Sequence, residues 1–180
     1  MILKYLNKMR GGSDCPPMVS LSEVAWSWLG AFLGIAAVAY LHESVLARMD
    51  LVLIIGSFGA SAVLIYGAIK SPLAQPRNLM GGHVLSALVG VSCYKLFPSE
   101  PWLAASLAVA TAIALMHLTR TLHPPGGATA LIAVIGSGQI HDLGYLYAVV
   151  PAATGALIML VIALLVNNIP STRRYPEFWL

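Results

Sequence analysis

The residues that could do chemistry are few, and they gather where apolar sequence is interrupted. The densest group is His123-Pro124-Pro125-Gly126-Gly127-Ala128-Thr129. The prolines carry no backbone donor and push the residue before them into extended conformation. The two glycines then admit a second backbone or a ligand at close range. No breaker follows until Gly136, so the pattern predicts an extended stretch running into a helix start. First-turn amides of such a helix have no partner within it, and in lipid an unpaired donor costs several kcal/mol. A small anion at the helix N-terminus would satisfy them and be favoured by the macrodipole, with Thr129 adding a hydroxyl. Thr129 itself, a water or a neighbouring carbonyl would satisfy them equally well.

A counterpart lies upstream, where Gly56-Ser57-Phe58-Gly59-Ala60-Ser61 breaks an apolar stretch near its middle. A helix restarting near Gly59 has about 11 residues to Ile69, or roughly 16 Å, half a bilayer. The two starts are expected to meet near the midplane from opposite sides, with Ser57, Ser61 and Thr129 supplying hydroxyls. A kinked continuous helix packed through small residues is the competing reading. Gln75, Arg77, Asn78 and His83 line a polar loop and the start of the next segment; Arg77 could draw an anion to a pathway mouth or serve only as a topogenic charge. His117, Arg120 and His123 fall together in sequence, and His123 is the best proton-handling candidate because histidine titrates near neutrality. Their spacing, without an acidic neighbour, does not suit zinc. No metal site and no cofactor is expected.

These residues sit in a chain of 180 residues that is 58% apolar and 9% charged, against roughly 25% charged for a soluble domain. So few charges cannot cover a water-facing surface. The net charge of +3 carries no basic stripe, so no nucleic-acid partner is expected. Cys15 and Cys93 have no redox or metal spacing. The N-terminus lacks the apolar run of a signal peptide. It reads as a tail or a surface helix with Ile2, Leu3, Leu6 and Met9 on one side.

Six apolar segments follow, at 24–46, 51–69, 81–96, 103–118, 126–137 and 146–166. The fifth is too short to span alone and needs residues 121–125 in extended form. With the N-terminus in the cytoplasm, Lys4, Lys8, Arg10, Lys70, Arg77, Arg120, Arg173 and Arg174 fall inside, and only Arg48 and Lys95 outside. His42, Glu43, Arg48 and Asp50 are then an outer loop. An internal repeat relates Trp28–Ala36 to Trp102–Ala110 and Gly59–Ile65 to Gly127–Ala133. The domain reading is a tail (1–20), a first repeat (21–96), a linker (97–101), a second repeat (102–168) and a tail (169–180). Three segments per half invert the second half, as in many secondary transporters.

The HPPGGATA run at His123–Ala130 resembles the defining signature of the HPP family of integral membrane proteins. Phe58-Gly59-Ala60-Ser61-Ala62, the SPLAQPRN run at Ser71–Asn78 and Gly81-Gly82-His83 resemble its other blocks. The family is usually described with four transmembrane helices, fewer than the six segments above. Some members in cyanobacteria and chloroplasts are nitrite transporters, so the resemblance implies anion transport. Some members also carry CBS domains, and nucleotide regulation through them is not expected here.

The fold class expected is an all-α membrane protein, with six segments in two inverted three-span repeats and two broken or half-length helices. The function expected is transport of a small anion such as nitrite, bound by Ser57, Gly59, Ser61, His123, Pro124, Pro125, Gly126, Gly127 and Thr129. Gln75, Arg77, Asn78, His83, His117 and Arg120 would line the pathway or its gates. The alternative is a non-transporting scaffold or accessory subunit. An enzyme is not expected, since no nucleophile–base pair or carboxylate pair is visible. The partners expected are the bilayer, the anion and further copies of the chain. The location expected is a bacterial plasma membrane with both termini cytoplasmic.

Overall fold

A computed structural model describes residues 2–9 and 15–180. Arg10 of the charge count, and the side chains of Ile2 and Leu3, lie outside the described residues; the short helix α1 (Ile2–Lys8) leaves Leu6 and Met9 exposed. Four helices are long and apolar enough to cross a membrane: α2 (Leu21–Met49), α4 (Pro76–Leu96), α5 (Pro101–Leu118) and α8 (Gly144–Val166). Two apolar helices are shorter, α3 (Ser57–Gly67) and α6 (Pro124–Ile135). A brief helix, α7 (Gly138–Asp142), links α6 to α8. No strand occurs among the described residues.

Local sequence chemistry sets the boundaries. Ser20 caps α2 by accepting from the Glu23 amide at 3.2 Å. Prolines occupy the first positions of α4, α5 and α6, where the missing donor costs nothing. The ends of α2 and α5 match each other. Asp50 and Arg120 both turn into the left-handed region, at φ 55° and 57°. After each, the next amide reaches back to the helix: Leu51 to the Leu46 carbonyl at 3.0 Å and Thr121 to the Met116 carbonyl at 2.8 Å. These are Schellman endings, and each releases the chain into the extended stretch before a short helix. The outer loop expected at His42–Asp50 is therefore mostly helix, because α2 continues through wide and then tight turns as far as Met49.

The core has two parts. In one, Cys93, Ala104, Ala108, Ala112, Met116, Ala130 and Val134 bring α4, α5 and α6 together. The other joins α2, α3, α8 and part of α4 around Phe58, Tyr66, Tyr147 and Met159. Tyr66 lies against Gly30 and Gly34, and its hydroxyl donates to the Met159 carbonyl at 3.0 Å. Trp28, Phe32 and Trp102 point outward, as side chains facing lipid do.

The segment after α8 is a strap, not a free tail. Arg173 is buried and pairs with Glu23 at 2.8 Å. Its guanidinium also donates to the Asn167 side chain, Ser27, and the carbonyls of Glu23 and Tyr66. The Tyr175 hydroxyl donates to the Ala74 carbonyl at 2.7 Å, and the Glu177 amide to the Gln75 side chain at 2.8 Å.

Candidate functional site

The two short helices run antiparallel with their first turns side by side: Ser57 meets Thr129, and Ser61 meets His123. Helix α4 crosses both and adds His83 a third of the way along its length. The approach is possible because α4 and α6 present glycine. A Cβ on Gly82 would stand 2.5 Å from the His123 Cβ, and one on Gly126 would stand 2.8 Å from the Gly82 carbonyl and the Ser86 hydroxyl.

Together these elements bury Ser57, Ser61, His83, His123 and Thr129 in one continuous network. Ser61 Oγ lies 2.7 Å from His83 Nε2 and 2.9 Å from His123 Nε2. The other nitrogen of His83 lies 2.7 Å from Thr129 Oγ1, whose single hydrogen also has Ser57 Oγ at 2.9 Å and the Pro125 carbonyl at 3.2 Å within reach. His123 Nδ1 lies 2.8 Å from the Leu73 carbonyl, which can only accept. That contact fixes a proton on Nδ1. Phe58 sets its ring edge-on to His83 at 5.2 Å, and the two imidazoles are edge-on at 5.1 Å. The Tyr147 hydroxyl donates to the Thr129 carbonyl at 3.1 Å. Among the described residues no buried side-chain polar atom lacks a partner. This fits the rule that polar groups deep in an apolar protein must be satisfied internally.

The expected site is brought together only in part. Ser57, Ser61, His123 and Thr129 converge, and His83, expected at a gate, lies at their centre. Gly59 and Gly127 do not face the network. Gly59 is exposed with open space beside it. Gly127 borders an apolar groove of about 500 Å³ with Val109, Ile113 and Met116. Several first-turn amides are also missing or already paired. Pro124 and Pro125 have no N–H, and the Gly126 amide donates to the His123 carbonyl at 2.8 Å. In α3, the Phe58 and Gly59 amides donate to the carbonyls of Ile55 and Gly56. The groups that meet between the two helix starts are hydroxyls and imidazoles, with Gly59 and Gly127 turned away from them.

The pathway residues also divide. His117 and Arg120 are exposed, because the Schellman ending turns them away from His123. Arg77 donates to the Thr119 carbonyl and Asn78 to the Leu122 carbonyl, each at 2.8 Å, so both pin the turn that presents His123. Gln75 is buried and donates to the carbonyls of Ile69 and Ser71. Sequence reasoning missed the Leu73 carbonyl and Tyr147, since neither residue type signals its partner. It counted Arg173 only as a cytoplasmic charge in the C-terminal tail. A second cavity of about 500 Å³ opens beside that arginine, lined by Glu23, Lys70, Ser71 and Thr172.

Comparison with known proteins identifies a transmembrane family. The family model for the transmembrane region of HPP proteins matches residues 16–176. Two transmembrane proteins of Dictyostelium discoideum are 48% and 46% identical to the chain, over 98% and 99% of its length. The chain spans 58% and 64% of those relatives. No solved structure matches. The chain belongs to the HPP family of transmembrane proteins.

Proposed function

We propose that the protein is a transporter of a small inorganic anion, with nitrite the favoured substrate, and that the hydroxyl–imidazole network is its transit site. The observation that carries this is the complete burial of two histidines and three hydroxyl residues inside a chain with 9% charged residues. Ionisable groups within membrane segments are costly and mark ion or proton pathways. Hydroxyls and imidazole N–H groups can donate to an anion without a fixed cation, which favours both binding and release. In the cavity beside Arg173 the arginine is neutralised by Glu23, and Lys70 leaves one positive charge that would favour an anion's approach.

The architecture proposed for this activity is six crossings in two inverted repeats, with both termini on the cytoplasmic face of the plasma membrane. Supporting it are the matched endings at Asp50 and Arg120, and the short helix that follows each. The third helix of each half also packs on the other half: α4 on α5 and α6, α8 on α2. Ser61 and Thr129, aligned by the repeat, both bond the same imidazole.

Uptake into proteoliposomes tests the reading. Wild-type protein is expected to carry nitrite, and His83→Phe to reduce uptake at least tenfold while eluting as a folded species. Nitrite flux equal in the two proteins would refute the transit site. A scaffold role is the second reading, favoured by the pairing of every buried side-chain polar atom among the described residues. It predicts no flux of any small anion.

A further inference from the structure

We infer that His83, Ser61 and His123 form a proton-binding site that takes up one proton together with the transported anion. The coupling to an anion rests on the transport reading above; the proton site rests on geometry alone.

Counting protons leads to it. The Leu73 carbonyl requires a hydrogen on His123 Nδ1, so a neutral His123 must accept at Nε2. Ser61 has one hydroxyl hydrogen and faces two Nε2 atoms, at 2.7 and 2.9 Å. If that hydrogen goes to His123, His83 must donate to Ser61 from its own Nε2. What happens at the far side of His83 then depends on Thr129. When the Thr129 hydroxyl points at His83 Nδ1, both rings are neutral and every contact has one hydrogen. When it points at Ser57 or the Pro125 carbonyl, as its contacts there allow, His83 must donate from Nδ1 as well. His83 is then an imidazolium, and the network holds one extra proton. The two states share the same heavy-atom positions and differ by one proton and one hydroxyl rotation.

The extra charge can move. The proton on His83 Nε2 passes to Ser61 Oγ as the Ser61 hydrogen passes to His123 Nε2. The cation is now His123, and His83 keeps its hydrogen on Nδ1. The bonds formed and broken balance with no other reactant.

The surroundings explain why the proton is taken up more readily with an anion than alone. Helix α3 presents Ser57, Phe58 and Ser61 to the pair, α6 presents Pro125 and Thr129, and the loop before α4 presents the Leu73 carbonyl. The titratable groups there are the two histidines, with the Tyr147 phenol one bond removed. Among the described residues, no carboxylate, lysine or arginine bonds either ring. The ion pair at Arg173 is made with Glu23, elsewhere in the fold. A lone imidazolium in such a place has no counter-charge, and a lone anion has none either. Entering together they form a neutral pair and avoid most of the desolvation cost. Acid on the loading side should therefore favour uptake, and neutral pH on the far side should favour release.

Two measurements test this, both on the full chain. In nanodiscs without substrate, ¹⁵N spectra of histidine-labelled protein are expected to show the His83 and His123 signals shifting together, with one proton taken up by the pair. Ser61→Ala should split this into two separate titrations, and Ser61→Thr should restore the joint one. Independent titration in the wild type, or in Ser61→Thr, would overturn the proton site. In proteoliposomes, an inward proton gradient is expected to accumulate nitrite above its equilibrium level with one proton per nitrite, after subtraction of protein-free vesicles. Nitrite flux without proton movement would overturn the coupling and leave transport intact. Joint titration with no flux of any anion would overturn transport and coupling and leave the proton site standing.

Discussion

Ser61 and Thr129, on two different short helices, hold the two nitrogens of one imidazole: each hydroxyl lies 2.7 Å from His83. The ring is a bridge between the two short helices, and its orientation depends on both. Thr129→Val keeps the shape of the side chain and removes the hydroxyl. His83 Nδ1 and Ser57 then lose a buried partner, and stability should fall by about 2 kcal/mol. Thr129→Ser should stay within about 1 kcal/mol of wild type. Thermal unfolding in detergent distinguishes the two, and equal losses would show that the hydroxyl is not the holding contact.

Adjacent glycines should behave in opposite ways. A Cβ at Gly126 would meet backbone and side-chain atoms of α4 and α5 at 2.8 to 3.0 Å, whereas one at Gly127 would meet only Val109, at 3.9 Å. Gly126→Ala forces α4 and α6 apart and should cost about 1–3 kcal/mol. Gly127→Ala gains helix propensity and should stabilise by up to about 1 kcal/mol. The same unfolding assay checks both; stabilisation by each would mean the two helices have slack at this crossing.

Arg173 ties the strap to the start of α2. Arg173→Ala would leave Glu23 and the Asn167 side chain without their donor, and should destabilise by about 3 kcal/mol. Glu23→Gln, at a half-buried position, should cost less. Faster proteolysis of the C-terminal segment in Arg173→Ala is the expected readout. An unchanged digestion rate would show that the strap is held by other contacts.

Single exposed cysteines on a Cys15→Ser background, with the buried Cys93 kept, test the crossings. With six crossings, an impermeant maleimide should label Lys70→Cys and Thr172→Cys from one face of sealed vesicles. It should label Arg48→Cys and Lys95→Cys from the other. Lys70→Cys labelled together with Arg48→Cys would show that the segment through α3 does not cross.

Much of the fold was legible. Pro76, Pro101 and Pro124 marked helix starts, and the small-residue break around Gly56–Ser61 marked the restart of α3. Length and apolarity gave the four long helices, and the short pair accounts for the six segments counted in sequence. The site was legible only by residue type. Nothing in spacing says that His83 and His123 meet, because a tight turn and a glycine contact between α4 and α6 decide it. Gly59 and Gly127 were chosen for permissiveness, but which face of a helix a glycine occupies is fixed by tertiary packing. The absence of amide donors at Pro124 and Pro125 was readable from the start, and it already argued against anion capture at that helix end.

Three successive residues at the foot of α4 each take a hydrogen bond from a different part of the chain. Leu73 accepts from His123, Ala74 from Tyr175, and Gln75 from the Glu177 amide. The strap and the buried imidazole therefore stand on one short plinth. A tug on the polypeptide beyond Arg173 would bear, through Tyr175 and the adjoining carbonyls of Ala74 and Leu73, on the His123 ring.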